Sequence, residues 1–242
     1  MAPSQEPFAF NEARLANIER RISKDRLQPY LRFANEDRQF AIKLYEWNTA
    51  LSESFYGVLQ GFEVTLRNAF HEVLSSAFSR DDWYDAVTFK EIEARNLQEA
   101  KDRLTTDAKP LSPGGIVSEL YFGFWVSLTG TPYNQTLWNA HLYRAFRIRK
   151  KREEIFKMLS VVRKLRNRVA HHEIIIGRKL NEDYSLILGA TNLICPDTAK
   201  WIESKSTFWD RYDRRPRYLP PVPAPNTSTS TGVPASKATG SK

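Results

Sequence analysis

The sequence predicts an all-α fold, a single helical bundle with a disordered C-terminal tail. Three observations carry that prediction. Apolar residues recur at spacings of three and four through most of the chain. No stretch alternates apolar and polar residues as a half-buried strand does. Clusters of Gly, Pro, Asn and Asp cut the chain into helix-sized pieces.

The elements follow in order. Asn11 is placed to cap a first helix through Ile22, because its side-chain oxygen can accept from an early helical N–H. From Asp37, the residues Phe40, Leu44, Trp47, Leu51, Phe55 and Phe62 share one face, and the pattern continues through Val64, Ala69, Val73 and Phe78. This run predicts one long helix or two stacked end to end, with Gly57 and Gly61 as places to bend. Asp81-Asp82 opens a loop. A polar helix is expected from about residue 89 to 108, ended by Pro110-Leu111-Ser112-Pro113-Gly114-Gly115. Residues 116–128 are apolar nearly all round, which predicts a buried central helix. Thr129-Gly130-Thr131-Pro132 breaks it.

Two further helices are expected over Leu137–Phe146 and Glu153–His171. Another runs from about Glu182 to Ile194 with Asn181 as its cap, and a short one starts near Asp197. Ile174-Ile175-Ile176 could form a short extended edge that Gly177 stops. The domain limits read as a flexible N-terminus over residues 1–10, one helical domain over 11–214, and a tail over 215–242. The tail turns abruptly to Pro, Ser, Thr, Ala and Gly, a composition that cannot bury enough apolar surface to order itself.

Bulk properties narrow the function. With 242 residues and 41% hydrophobic content, the chain can build a real core. A formal net charge of +8 suits a polyanionic partner. The N-terminus lacks the basic start and apolar stretch of a signal peptide, and the apolar runs are too short to cross a bilayer, so a cytoplasmic protein without a membrane partner is expected. A single cysteine cannot form an internal disulfide. Between Ile194 and Pro196, Cys195 reads as a buried, inert thiol.

The chemistry concentrates in Arg166-Asn167-Arg168-Val169-Ala170-His171-His172-Glu173. Two arginines can hold a phosphate, two imidazoles can move protons near neutral pH, and an amide and a carboxylate can orient them. On the helix that carries them, Ile155, Leu159, Val162 and Val169 form an apolar stripe with Leu165 or Arg166 at its edge. An arginine so placed needs an anionic partner. At about 100° per residue, Arg166 and His171 stand roughly 140° apart and do not share a face. Asn167 and His171 do, so the amide could orient the ring. For Arg166 and His171 to act on one phosphate, either the helix frays near Ala170 or the site combines two chains; a two-fold interface is the favoured arrangement.

Other polar residues form a second set. Glu63, Arg67 and Asn68 stand on an otherwise apolar helix, as an intrahelical ion pair or as the lining of the same cleft. Glu119 is alone in an apolar segment and calls for a buried arginine, Arg67 or Arg166. Consecutive His171, His172 and Glu173 point to different sides of a helix, which does not suit a metal site, and no metal is expected. His71 and His141 are isolated and read as ordinary core or surface residues. Tyr121, Phe122, Phe124 and Trp125 read as core rather than as a platform for bases. No Gly-rich phosphate loop is present, which argues against nucleotide transfer, and no cofactor is expected.

Leu165-Arg166-Asn167-Arg168-Val169-Ala170-His171-His172-Glu173 resembles the signature of the Abi-like (abortive infection) family, whose members carry HEPN-type helical domains with an R-x4-H motif. Phe62-Glu63-Val64-Thr65-Leu66-Arg67-Asn68-Ala69 and Glu119-Leu120-Tyr121-Phe122-Gly123-Phe124-Trp125 resemble that family's two other blocks, in the same order, and Leu137-Trp138 also fits. The resemblance covers about residues 10 to 205. It implies a HEPN-like bundle with additional helices, a homodimer with a composite active site, and metal-independent endoribonuclease activity in an antiphage or toxin-type defence system. An antitoxin protein or a regulatory small RNA would hold that activity in check. By the same resemblance Arg166 and His171 carry catalysis, with Asn167, Arg168, His172 and Glu173 in support and Glu63, Arg67, Asn68 and Glu119 around the cleft. The alternative is a non-catalytic RNA-binding or scaffold protein of the same fold.

Overall fold

The structure is a computed structural model that describes residues 8–217. The chain is all-α, and no strand occurs among the described residues. Most of the tail expected from residue 215, and residues 1–7 of the N-terminal segment, lie outside them. The α-helices are α1 (Glu12–Ile22), α2 (Lys24–Phe33), α3 (Arg38–Phe78), α4 (Glu91–Thr106), α5 (Pro113–Glu119), α6 (Phe122–Ser127), α7 (Arg152–Ala170), α8 (Leu180–Ile194), α9 (Pro196–Lys205) and α10 (Phe208–Tyr212).

Helix α3 organises the bundle. It packs against α2, α6, α7, α8, α9 and α10. Its stripe Leu51, Phe55, Phe62, Leu66, Phe70 and Leu74 is fully buried, and this burial outweighs the weak helix propensity of its glycines. The helix runs as one element through both Gly57 and Gly61. At Gly61 an added Cβ would stand 2.6 Å from the Ile202 side chain, so this glycine sets how closely α9 approaches. The expected cap at Asn11 forms, its side chain accepting from the Arg14 N–H, and Asp37 caps α3 by accepting from the Phe40 N–H.

Several elements depart from the sequence expectation, among them α10, which it does not include. Helix α2 was not anticipated; it begins at Ser23, whose side chain accepts from the Arg26 N–H, and it buries Leu27 and Tyr30. The expected single helix over 116–128 is two, α5 and α6, joined through extended Leu120. The break points Leu120 and Phe122 inward and leaves Tyr121 outside beneath the Arg103 guanidinium, an alternation that three consecutive helical residues cannot make. Arg103 also donates to the Glu119 carbonyl at 2.6 Å and pairs with its carboxylate at 3.1 Å. Glu119 therefore answers to Arg103, not to Arg67 or Arg166, and stands outside the candidate cleft.

The stretch 137–146 is not an α-helix but a π-helical turn at Asn134–Trp138 followed by a 3₁₀ turn at Leu142–Ala145. Apolar spacing does not separate these turns from an α-helix, since each keeps residues three to five apart on one side. Helix α8 begins at Leu180, so Asn181 lies inside it and does not cap it. Burial of Leu180 and the two-pronged Arg178–Asp183 pair, at 2.7 and 2.8 Å, set that start instead. Ile174–Ile176 form no strand edge: Ile174 and Ile175 are irregular, and a turn follows at Ile176, closed by the Arg178 N–H donating to the Ile175 carbonyl at 2.9 Å.

The isolated histidines are structural. His71 accepts from the Trp83 indole N–H at 3.0 Å, and burial pushes its imidazole below the ordinary histidine range. Burial does the same at His141.

Candidate functional site

Helix α7 presents the motif as its stripe dictates. Ile155, Leu159, Val162, Leu165 and Val169 are buried against the core, and Arg166 lies at the stripe's edge. Its guanidinium meets Glu63 of α3, Nε to Oε2 at 3.3 Å, with both side chains only partly exposed. The pairing spans two helices, so Glu63 does not form the intrahelical bridge with Arg67. The Arg67 Nε instead donates to the side chain of its neighbour Asn68 at 3.2 Å.

These residues frame a cavity of about 450 Å³ between α3 and the end of α7. Tyr56, Gln60, Glu63 and Arg67 line it from one face of α3 at spacings of four, three and four. Arg166, Val169 and Ala170 line it from α7, and His172 closes the end. Two guanidiniums, one carboxylate, one imidazole and one phenol thus converge on a space suited to a small anionic group.

The two histidines separate at this point. Helix α7 ends in a tight cap: the His172 N–H donates to the Val169 carbonyl at 3.2 Å and the Glu173 N–H to the Arg168 carbonyl at 2.8 Å. His172 occupies the left-handed position of that cap with φ 56°. His171 caps the helix from an exposed position and does not line the cavity that holds Arg166. The Asn167 backbone carbonyl accepts from the His171 N–H at 2.9 Å, but no hydrogen bond among the described residues joins the Asn167 amide to the His171 ring. Asn68 and Asn167 are both exposed.

Arg168 and Glu173 have a fastening role. Arg168 donates to the Ile174 carbonyl at 3.1 Å and stands 3.9 Å from the Glu173 carboxylate. Arg26 of α2 reaches the His171 carbonyl at 3.5 Å. The main anchor is Asn48, which the sequence reading missed. Its side chain accepts from the Ile175 N–H at 2.7 Å and donates to the Glu173 carbonyl at 3.3 Å. This buried amide takes up the Ile175 N–H and the Glu173 carbonyl, groups that a neighbouring strand would otherwise use.

A left-handed non-glycine residue costs about 1 kcal/mol or more. His172→Gly should therefore raise stability by about 0.5–1 kcal/mol, read as a higher midpoint of urea unfolding. A fall in stability would mean that the His172 ring contributes packing that outweighs its backbone strain.

A larger cavity, about 900 Å³, lies on the other side of α3. It holds Asn68 but not Arg166, His171 or His172. Cys195 lines it, half-buried rather than buried as expected. The thiol sits at the start of α9, and hydrogen bonding with Thr198 pulls its pKa below the ordinary thiol value. Among the described residues no group of three or more His, Cys, Asp and Glu side chains is placed to hold a metal ion, and no helix is long and apolar enough to cross a membrane. Compared with known proteins, the chain matches no family model, no curated protein and no solved structure.

Proposed function

We propose that this chain is an endoribonuclease of the abortive-infection or toxin type that cleaves RNA without a metal. The observation that carries the reading is the convergence of Arg67 and Arg166, from two different helices, on one cavity closed by His172. The ribose 2′-hydroxyl attacks the adjacent phosphorus and the 5′-oxygen of the next nucleotide departs. The products are a 2′,3′-cyclic phosphate and a 5′-hydroxyl. Arg166 stabilises the charge that develops on the phosphoryl oxygens, and an imidazole takes a proton from the nucleophile or gives one to the leaving oxygen.

The histidine has two assignments. The sequence resemblance assigns it to His171, which reaches an Arg166-bound phosphate from a second copy of the chain across a two-fold interface. The cavity favours His172, which needs no second copy. Activity in the cell would be restrained by an antitoxin protein or a regulatory small RNA.

Incubation of the purified chain with end-labelled RNA in excess EDTA tests the reading, beside His171→Ala and His172→Ala. Cutting in EDTA is expected, together with loss of at least about a hundredfold in one histidine variant. Loss at His171 supports the two-chain site, and loss at His172 the one-chain site. Cutting that EDTA abolishes contradicts the metal-free chemistry. RNA bound by the wild type but left whole favours the non-catalytic RNA-binding protein.

A further inference from the structure

We infer that the large cleft beside α3 and residues 144–151, the end of the 142–145 turn and the loop that leads into α7, form one binding track for a single-stranded polynucleotide. The loop reads Arg144-Ala145-Phe146-Arg147-Ile148-Arg149-Lys150-Lys151, with five cations and no acid. Some exposed cations elsewhere are paired with an acid, as in Arg80–Asp82, Lys109–Asp107 and Lys179–Glu182, while others, such as Lys43, Lys157 and Lys200, stand singly rather than in a run. None of the five loop cations joins an ion pair among the described residues. A run of charge is often only a solvated face, but this one is held in shape. Phe146 is buried against Phe70 and Trp138, and the Arg147 N–H donates to the Leu193 carbonyl at 2.8 Å. The Arg149 guanidinium lies over the Tyr143 ring at 4.7 Å. The loop is thus fixed beside Ile194 and Cys195, on the rim of the cleft.

The cleft supplies what a bare basic patch lacks. Arg144 of the 142–145 turn and Trp201 of α9 line it together with Gly61, Thr65 and Ala69 of α3, whose side chains are small enough for close approach. Trp201 is 61% exposed, an indole left largely in water at the edge of a cavity. Glu72 is the acidic residue of the lining. Phosphate-binding cations beside an aromatic face describe a site for a single strand, whose bases are free to stack. A duplex hides its base faces. Gln60 and Val64 line both this cleft and the Arg166 cavity, so the two open to either side of one ridge of α3. A strand lying along the track passes over that ridge to Arg166. The choice of RNA over DNA rests on the proposed cleavage function; the track itself does not.

The test measures binding by the full chain carrying His171→Ala and His172→Ala, which keeps the probe intact. The probes are a fluorescent 12-nucleotide RNA, its DNA counterpart, the RNA duplex and phosphatidylserine vesicles. Single strands should bind at least about tenfold more tightly than the duplex. Adding Trp201→Ala should weaken single-strand binding about tenfold and leave its salt dependence unchanged. Adding Arg144→Ala, Arg147→Ala and Arg149→Ala together should lower the slope of log affinity against log salt by about 2. Trp201→Phe should restore most of the affinity. Binding unchanged in both sets, equal binding of duplex, or binding of vesicles in place of polynucleotide overturns the proposal. Weakened binding in these variants with a wild type that cuts nothing leaves the track standing and the nuclease reading fallen. Cutting by the wild type with unaltered binding in the variants does the reverse.

Discussion

Arg166→Ala should lower RNA cleavage by at least about a hundredfold while thermal unfolding stays within a few degrees of wild type. A donor aimed at charge that develops in a transition state is worth about 10²–10³ in rate. The same side chain contributes little to folding. The side chain is 34% exposed and its ion pair with Glu63, at 3.3 Å, is partly solvated, which limits the pair to roughly 1 kcal/mol. Arg166→Lys keeps the charge but loses the planar fork, and an intermediate rate is expected. Glu63→Gln frees the guanidinium from its charged partner and should change the rate only severalfold. Single-turnover cleavage with unfolding monitored by circular dichroism reads all three. Equal rates for Arg166→Ala and wild type would remove Arg166 from the chemistry.

Asn48→Ala should cost on the order of 2–3 kcal/mol, because it leaves the buried Ile175 N–H and the Glu173 carbonyl without their partner. For a domain of this size the unfolding midpoint should fall by about 5–10 °C. Cleavage should fall as well even well below that midpoint, since the amide holds the segment that follows the two histidines. Differential scanning calorimetry, with cleavage assayed in the cold, separates the two effects. Unchanged stability would mean that the clamp contributes nothing and that Arg168 and Arg26 suffice to hold the turn.

The long helix, the polar helix and the motif helix were legible because each buries a single stripe. Leu51, Phe55 and Phe62 in α3, and Ile155, Leu159, Val162 and Val169 in α7, repeat at helical spacing and are buried in that register. Beyond Phe62 the buried stripe runs through Leu66, Phe70 and Leu74 and not through Val64, Ala69, Val73 and Phe78, of which Val64 is exposed. The segment 116–128 was not legible. A stretch that is apolar all round carries no phase, so nothing in it marks Leu120 as extended. The turns over 134–145 were missed for a related reason, since their spacing mimics a helix. Cys195 was misjudged from its apolar neighbours in sequence, while its exposure depends on the cleft that α3 and α9 enclose.

In the site, Arg166 at the stripe's edge called for an anion, and Glu63 supplies it. The parting of His171 from His172 was beyond periodicity, because it follows from the left-handed cap that ends α7. Asn48 did carry a signal. It stands four residues after Leu44 and three before Leu51, on the buried side of α3, and an amide there requires partners. The partners could not be named, since 127 residues of chain separate it from Ile175.

The central claim is attack by a ribose 2′-hydroxyl at the Arg166 cavity, and end-group analysis tests it most directly. Two RNAs that differ only by a single 2′-deoxy sugar at the cut position are incubated with the chain in EDTA. The all-ribose RNA should yield a 2′,3′-cyclic phosphate and a 5′-hydroxyl, and the substituted RNA should not be cut at that position. Cleavage of the deoxy-substituted position, or products ending in 3′-hydroxyl and 5′-phosphate, would contradict it.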